Sequence, residues 1–209
     1  MKTKIIKINP NKPEISKIKT AAKILKQGGL VAFPTDTVYG LGADAFNVHA
    51  VKKIFQVKKR LTNKPLIILI ANKKTVYKLA KNVSINAKKL INKFWPGPLT
   101  IVFKKSQIVP EIITGNLDTV GIRMPDNKIA LNLIKEAKTP IVATSANISG
   151  KLSPTCSRHV KQNLNGKIDM IIDGGKTKIG VASTIVDLTK NIPILLRPGS
   201  ITLKQLKKI

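Results

Sequence analysis

Short runs of consecutive apolar residues alternate along the chain with stretches in which apolar positions recur every three or four residues. This is the pattern of strands alternating with amphipathic helices in an α/β protein. Lys4 to Ile8 reads as a first strand, and Ile15, Ile18, Ala22 and Leu25 mark a helix face that Gly28-Gly29 stops. The buried-strand run Leu30 to Phe33 leads into Pro34. Ala50, Val51, Ile54 and Phe55 predict a second helix, followed by a basic loop over Lys58 to Lys64 and a strand over Leu66 to Ile70. Helical patterns follow around Val76 to Leu79 and over Ile85 to Phe94, and Pro96-Gly97-Pro98 breaks the chain before a strand at Leu99 to Phe103. Further strands are predicted at Val120 to Ile122, Ile141 to Ala143, Met170 to Ile172, Thr184 to Val186 and Ile194 to Leu196, with a helix over Lys128 to Ala137. No repeat, low-complexity linker or composition shift divides the pattern, so residues 1–209 are expected to form one domain around a sizeable core.

Cys156 is the only cysteine, which excludes an internal disulfide, and the opening MKTKIIKINP lacks the apolar stretch of a secretory signal. A cytoplasmic location is expected. The longest apolar run, Leu66 to Ala71, falls far short of the roughly 20 residues that span a bilayer, so no membrane segment is expected.

The formal net charge of +28 favours anionic partners: nucleotides, nucleic acid or acidic surfaces. Of the 38 Lys and Arg, only four are arginines, and the lysines run from Lys2 to Lys208 in a way that compositional drift also explains. The planar guanidinium, which can hold a phosphate or carboxylate bidentately, is the sharper signal, and it directs attention to Arg60, Arg123 and Arg197.

Hydroxyl-rich and basic turns adjoin several predicted strands. Phe33-Pro34-Thr35-Asp36-Thr37-Val38-Tyr39-Gly40-Leu41-Gly42 can present hydroxyls and backbone donors to a small polar ligand, or can be an ordinary turn whose Thr and Asp cap local backbone. Lys58-Lys59-Arg60 with Lys64 suits a polyphosphate or a solvated charge cluster. Ala143 to Gly150, then Ser153-Pro154-Thr155, offer hydroxyls and an amide, and Gly180 to Asp187 and Leu196 to Gly199 add another hydroxyl pair and an arginine, though each can also be an ordinary turn beside a strand.

Other devices fail. Gly174-Gly175-Lys176-Thr177 ends like a P-loop, but Met170 stands where its first glycine must be. His49 and His159 with one cysteine make no structural zinc site. His49 fits an exposed helix start, and Cys156 fits a small packing residue.

Five segments in order resemble the YrdC family over about Lys4 to Gly199: Pro34 to Gly42, Lys58-Lys59-Arg60 with Pro65-Leu66, Arg123-Met124-Pro125, Ser145-Ala146-Asn147 and Arg197-Pro198-Gly199. The resemblance implies a single-domain twisted mixed sheet with flanking helices and a basic concave site. It implies an ATP-dependent enzyme that combines L-threonine, bicarbonate and ATP into L-threonylcarbamoyl-AMP and pyrophosphate, with Mg²⁺ bound mainly through the ATP phosphates. By matching motifs, Thr37, Arg123, Ser145 and Ser183 stand on the threonine side, and Lys58, Arg60, Lys64, Thr119, Asn147, Thr155 and Arg197 on the nucleotide side. Lys58, Arg60, Ser145 and Asn147 are the implied catalytic set.

A downstream tRNA threonylcarbamoyl transferase complex would take the product to position 37 of tRNA, and the basic surface also admits direct tRNA binding. Many members carry histidine where this chain has Leu69, and the chain resembles the short form without an added C-terminal domain. Two other readings compete: a carbamoyl-adenylate enzyme like the YrdC-like domain of hydrogenase-maturation carbamoyltransferases, and a non-catalytic RNA-binding module.

Overall fold

A computed structural model describes residues 2–190 and 192–207. In the first half, β1 (Lys4–Lys7), α1 (Ile15–Lys26), β2 (Val31–Phe33), β3 (Gly40–Asp44), α2 (Val48–Lys58) and β4 (Ile67–Leu69) follow one another. Then come α3 (Val76–Leu79), β5 (Ala80–Lys81), α4 (Ile85–Phe94), β6 (Leu99–Lys105), α5 (Glu111–Thr114) and β7 (Thr119–Arg123). The chain continues through α6 (Lys128–Ala137), β8 (Ile141–Ser145), α7 (Ser157–Leu164), β9 (Met170–Asp173), β10 (Thr184–Asp187), β11 (Ile194–Arg197) and α8 (Leu203–Lys207). The strands form one twisted mixed sheet in the order β1-β9-β2-β3-β8-β4-β7-β6-β10-β11, with β5 added beside β6. The architecture is the α/β one expected from the alternating pattern.

The period-2 alternation of each strand feeds two cores, one on each face of the sheet. Ala32, Ile68, Val142 and Ile171 point into the larger, with Ala50, Ile54 and Phe55 of α2 and Leu90 and Ile91 of α4 packed above them. Their neighbours Val31, Phe33, Leu69, Ile141, Met170 and Ile172 point the other way, under Ile18 and Leu25 of α1 and Ile129 and Leu133 of α6. Helices α2, α4 and α6 start on side-chain caps: Asn47 accepts from Ala50 N–H, Ser84 from Ala87 N–H and Asn127 from Ala130 N–H.

Two expectations need correction. Gly40 to Gly42, read as part of a turn, lies within the central strand β3, paired with β2 and β8. A methyl group at Gly42 would stand 2.6 Å from Ile141 Cγ2 and 2.7 Å from Phe33 Cε1, so the glycine is there for close packing. The expected basic loop also begins later, because Lys58 is the last residue of α2 and Lys59 ends the helix in a left-handed conformation, φ 52°.

Candidate functional site

On the face that α1 and α6 cover, the half of the sheet from β8 to β11 is open, and its inward-pointing side chains become the floor of a cavity of about 380 Å³. Ala143 of β8, Ile67 and Leu69 of β4, Gly121 of β7, and Thr100 and Val102 of β6 form that floor. Leu69, where the resemblance expects histidine, is an apolar floor residue in register with Arg123. Small and apolar side chains under a rim of arginines and hydroxyls make a concave site of the size that takes one small ligand.

Arg123, the last residue of β7, is 5% exposed and held on three sides. Its Nε donates to Gly97 O at 3.0 Å, Nη1 donates to Thr37 Oγ1 at 2.9 Å, and Nη2 pairs with Asp36 Oδ1. Three of its five N–H groups are thereby occupied, leaving two for a ligand. Burial lowers the guanidinium from its ordinary value, Asp36 opposes that, and Arg197 adds to it. Asp36 Oδ1 also accepts Asp126 N–H, while Oδ2 is buried without a partner among the described residues. The turn carrying these groups is fixed by Thr35, whose Oγ1 donates to Val38 O at 2.7 Å and meets Thr37 Oγ1 at 3.0 Å. Tyr39 closes the far side, its hydroxyl donating to Gly175 O at 2.7 Å and accepting from Gly174 N–H at 3.1 Å.

Arg60 and Arg197 enter the cavity from the opposite rim and have no carboxylate partner among the described residues. Arg60 Nη2 donates to Pro65 O at 2.9 Å, and Arg197 Nη2 donates to Ser183 O at 2.8 Å and to Ser183 Oγ at 3.0 Å. Ser183 Oγ lies 2.8 Å from Thr100 Oγ1. Burial lowers both guanidinium groups, and the charge of Arg60 adds to the lowering at Arg197. Two guanidinium groups at one rim, without an acid between them, leave positive charge that suits an anion.

Lys58 takes a different direction. It is 1% exposed, and its Nζ donates to Ser145 O and Asn147 O, both at 2.5 Å, and to Asn147 Oδ1 at 3.4 Å. Burial, with a smaller contribution from Arg60, pulls the amine from 10.5 down to about 7. The folded pKa lies below the unfolded one, so over the window from about 7 to 10.5 the unfolded chain holds the extra proton. Stability is therefore expected to rise with pH there by up to about 1.4 kcal/mol per unit. Lys58→Met should remove that slope, and equilibrium unfolding of both proteins across this window measures it. An equal slope in the variant would contradict the assignment.

Thr37, Arg60, Thr119, Arg123, Ser145, Ser183 and Arg197 line the cavity. Lys58, Lys64, Asn147 and Thr155 do not stand in its lining. Asn147 is 4% exposed with its amide donating to Lys151 O, Thr155 faces His159 at 3.4 Å, and Lys64 is exposed. The sequence reading took Asp36 as at most a turn cap, Gly97 as a chain break and Ser153 as part of a polar loop, and it did not single out Thr100. Asp36 carried a signal, as one of only ten acidic residues and flanked by hydroxyls. Gly97 acts through its carbonyl, which no residue type reveals.

Fold and site together define an α/β protein with an arginine-rimmed cavity over its sheet, of a size and charge suited to a small anionic ligand. The family model Sua5_yciO_yrdC, described as telomere recombination, matches residues 23–199, and the chain belongs to that family. A threonylcarbamoyl-AMP synthase of Pyrococcus abyssi is 54% identical over 193 residues, 92% of this chain and 57% of its own length. One from Bacillus subtilis is 46% identical over 203 residues, 97% of this chain and 58% of its own length. The chain thus spans less than two thirds of these relatives. The crystal structure of P. abyssi Sua5 complexed with L-threonine superposes with TM-score 0.96 at 52% identity, covering 99% of this chain and 60% of that one. Among the described residues no helix is long and apolar enough to cross a membrane.

Proposed function

We propose that the chain is a nucleotidyltransferase that makes L-threonylcarbamoyl-AMP and pyrophosphate from L-threonine, bicarbonate and ATP, for the N6-threonylcarbamoyl group of tRNA. The observation that carries this reading is Arg123, buried at the cavity wall and braced by Gly97, Thr37 and Asp36. A guanidinium locked in this way can present its remaining N–H groups to the carboxylate of an amino acid without losing side-chain entropy on binding. Thr37, Ser145 and Ser183 supply hydroxyls around it.

The chemistry asks little of a base. Bicarbonate and the threonine amine give a carbamate and water, the carbamate oxygen attacks the α-phosphorus, and pyrophosphate leaves with the electron pair of the broken P–O bond. The difficulty is to bring two anions together and to stabilise charge on the departing pyrophosphate, which fixed cations do without reorganising. Arg60 and Arg197 hold those positions, and Thr119 adds a hydroxyl at the start of β7. Mg²⁺ would arrive on the nucleotide and neutralise phosphate charge. Mg²⁺ keeps several waters and needs few protein carboxylates when phosphates share its coordination. A separate tRNA threonylcarbamoyl transferase would consume the labile adenylate.

Calorimetry with L-threonine and its neutral carboxamide tests the carboxylate assignment. L-threonine is expected to bind about tenfold or more tightly, the worth of one charge-assisted hydrogen bond. Equal affinities would overturn the assignment of Arg123.

A further inference from the structure

The motif Lys58-Lys59-Arg60 suggests cations acting on one anion, but the backbone separates them. The left-handed Lys59 turns the chain at the end of α2, so Arg60 passes to the cavity while Lys58 points back into the protein. The Lys58 amino group faces three oxygen acceptors: the carbonyls of Ser145 and Asn147 and the Asn147 side-chain oxygen. The main chain adds a further tie, since Ser149 N–H donates to Lys58 O at 3.0 Å. Asn147 Nδ2 in turn donates to Lys151 O, and Ala146 N–H donates to Tyr39 O at 2.9 Å. Two main-chain carbonyls converging on one buried point need N–H donors there.

We propose that Lys58 is a positioning residue: its amino group fixes the Ser145-Ala146-Asn147 turn from behind, presenting Ser145 to the cavity, and makes no contact with the phosphates. The nucleotide part of this statement rests on the function proposed above, whereas the fixing of the turn does not. Arg60 is the member of the triplet that meets the anion, because it lines the cavity and Lys58 and Lys59 do not.

Inorganic tripolyphosphate binding to the full chain, with amide hydrogen exchange of the same samples, tests the proposal in wild type, Lys58→Met and Arg60→Ala. Arg60→Ala is expected to weaken tripolyphosphate about tenfold or more, and Lys58→Met to change it by less than about twofold. In Lys58→Met the amides of Ala146 and Asn147 are expected to exchange about tenfold faster, the signature of a local opening. A tenfold loss of tripolyphosphate affinity in Lys58→Met, or unchanged exchange in the turn, overturns the proposal. Should Lys58→Met not fold, side-chain nitrogen NMR of the wild type decides. The Lys58 Nζ signal is expected to stay in place on adding tripolyphosphate while Arg60 Nε shifts, and a Lys58 shift as large as that of Arg60 overturns the proposal. If wild type binds neither ATP nor tripolyphosphate, the nucleotide reading falls, and the exchange comparison still decides whether Lys58 fixes the turn.

Discussion

Arg123→Ala is expected to lose about 3–5 kcal/mol of folding stability and all measurable synthase activity. The stability loss comes from what the variant leaves behind: Asp36 is 2% exposed, and its Oδ2 already lacks a partner. Removing the guanidinium strands a carboxylate in the protein interior, along with the Gly97 carbonyl and the Thr37 hydroxyl that it bridged. The double variant Asp36→Asn/Arg123→Met separates the two roles of the pair. Deleting both charges is expected to recover stability to within about 1 kcal/mol of wild type, because a buried ion pair adds little over neutral groups of similar volume. Activity is expected to stay lost. Urea unfolding and pyrophosphate release on the same preparations give both readings, and recovered activity in the double variant would remove Arg123 from substrate binding.

Arg60→Ala is expected to leave a folded protein with turnover about 10²–10³-fold lower, the range seen when one preorganised donor to developing charge is removed. The side chain is partly buried, and its bonds go to the carbonyls of Lys64 and Pro65 in an exposed loop, so about 1 kcal/mol of stability is at stake. Its larger contribution is electrostatic: Arg60 and Arg197 face one cavity without a neutralising acid among the described residues. Unchanged product formation by Arg60→Ala, measured with saturating and limiting ATP, would contradict the placement of the phosphates at that rim.

Elements with a strong period were legible in the sequence. The helix expected over Lys128 to Ala137 is α6 with the same limits, because Ile129, Ala130, Leu133, Ile134 and Ala137 repeat on one face. Helix α7 was missed: Val160 and Leu164 are its only buried residues, too few to set a pattern. Helix α5 has four residues and β5 two, below the length at which periodicity exists. Strand β3 was hidden because its glycines read as turn residues, whereas their purpose is contact with Phe33 and Ile141 across the sheet.

The site divides in the same way. Residue type and strand-end position pointed to Arg123, Ser145 and Ser183, since a residue at or beside a strand end on the open face reaches the cavity. Motif adjacency gave no direction, however, so Lys58 was grouped with Arg60. One left-handed residue between them sends the two side chains to different places. The partner of Arg123 is Asp36, distant in sequence, and only the fold brings the two together.

Pyrophosphate release by the purified chain with ATP, Mg²⁺ and bicarbonate, with and without L-threonine, and with mass spectrometry of the products, tests the central claim most directly. The account predicts threonine-dependent release and a product with the mass of threonylcarbamoyl-AMP. Release that is indifferent to threonine, or no turnover beside tight, salt-sensitive RNA binding, would contradict it.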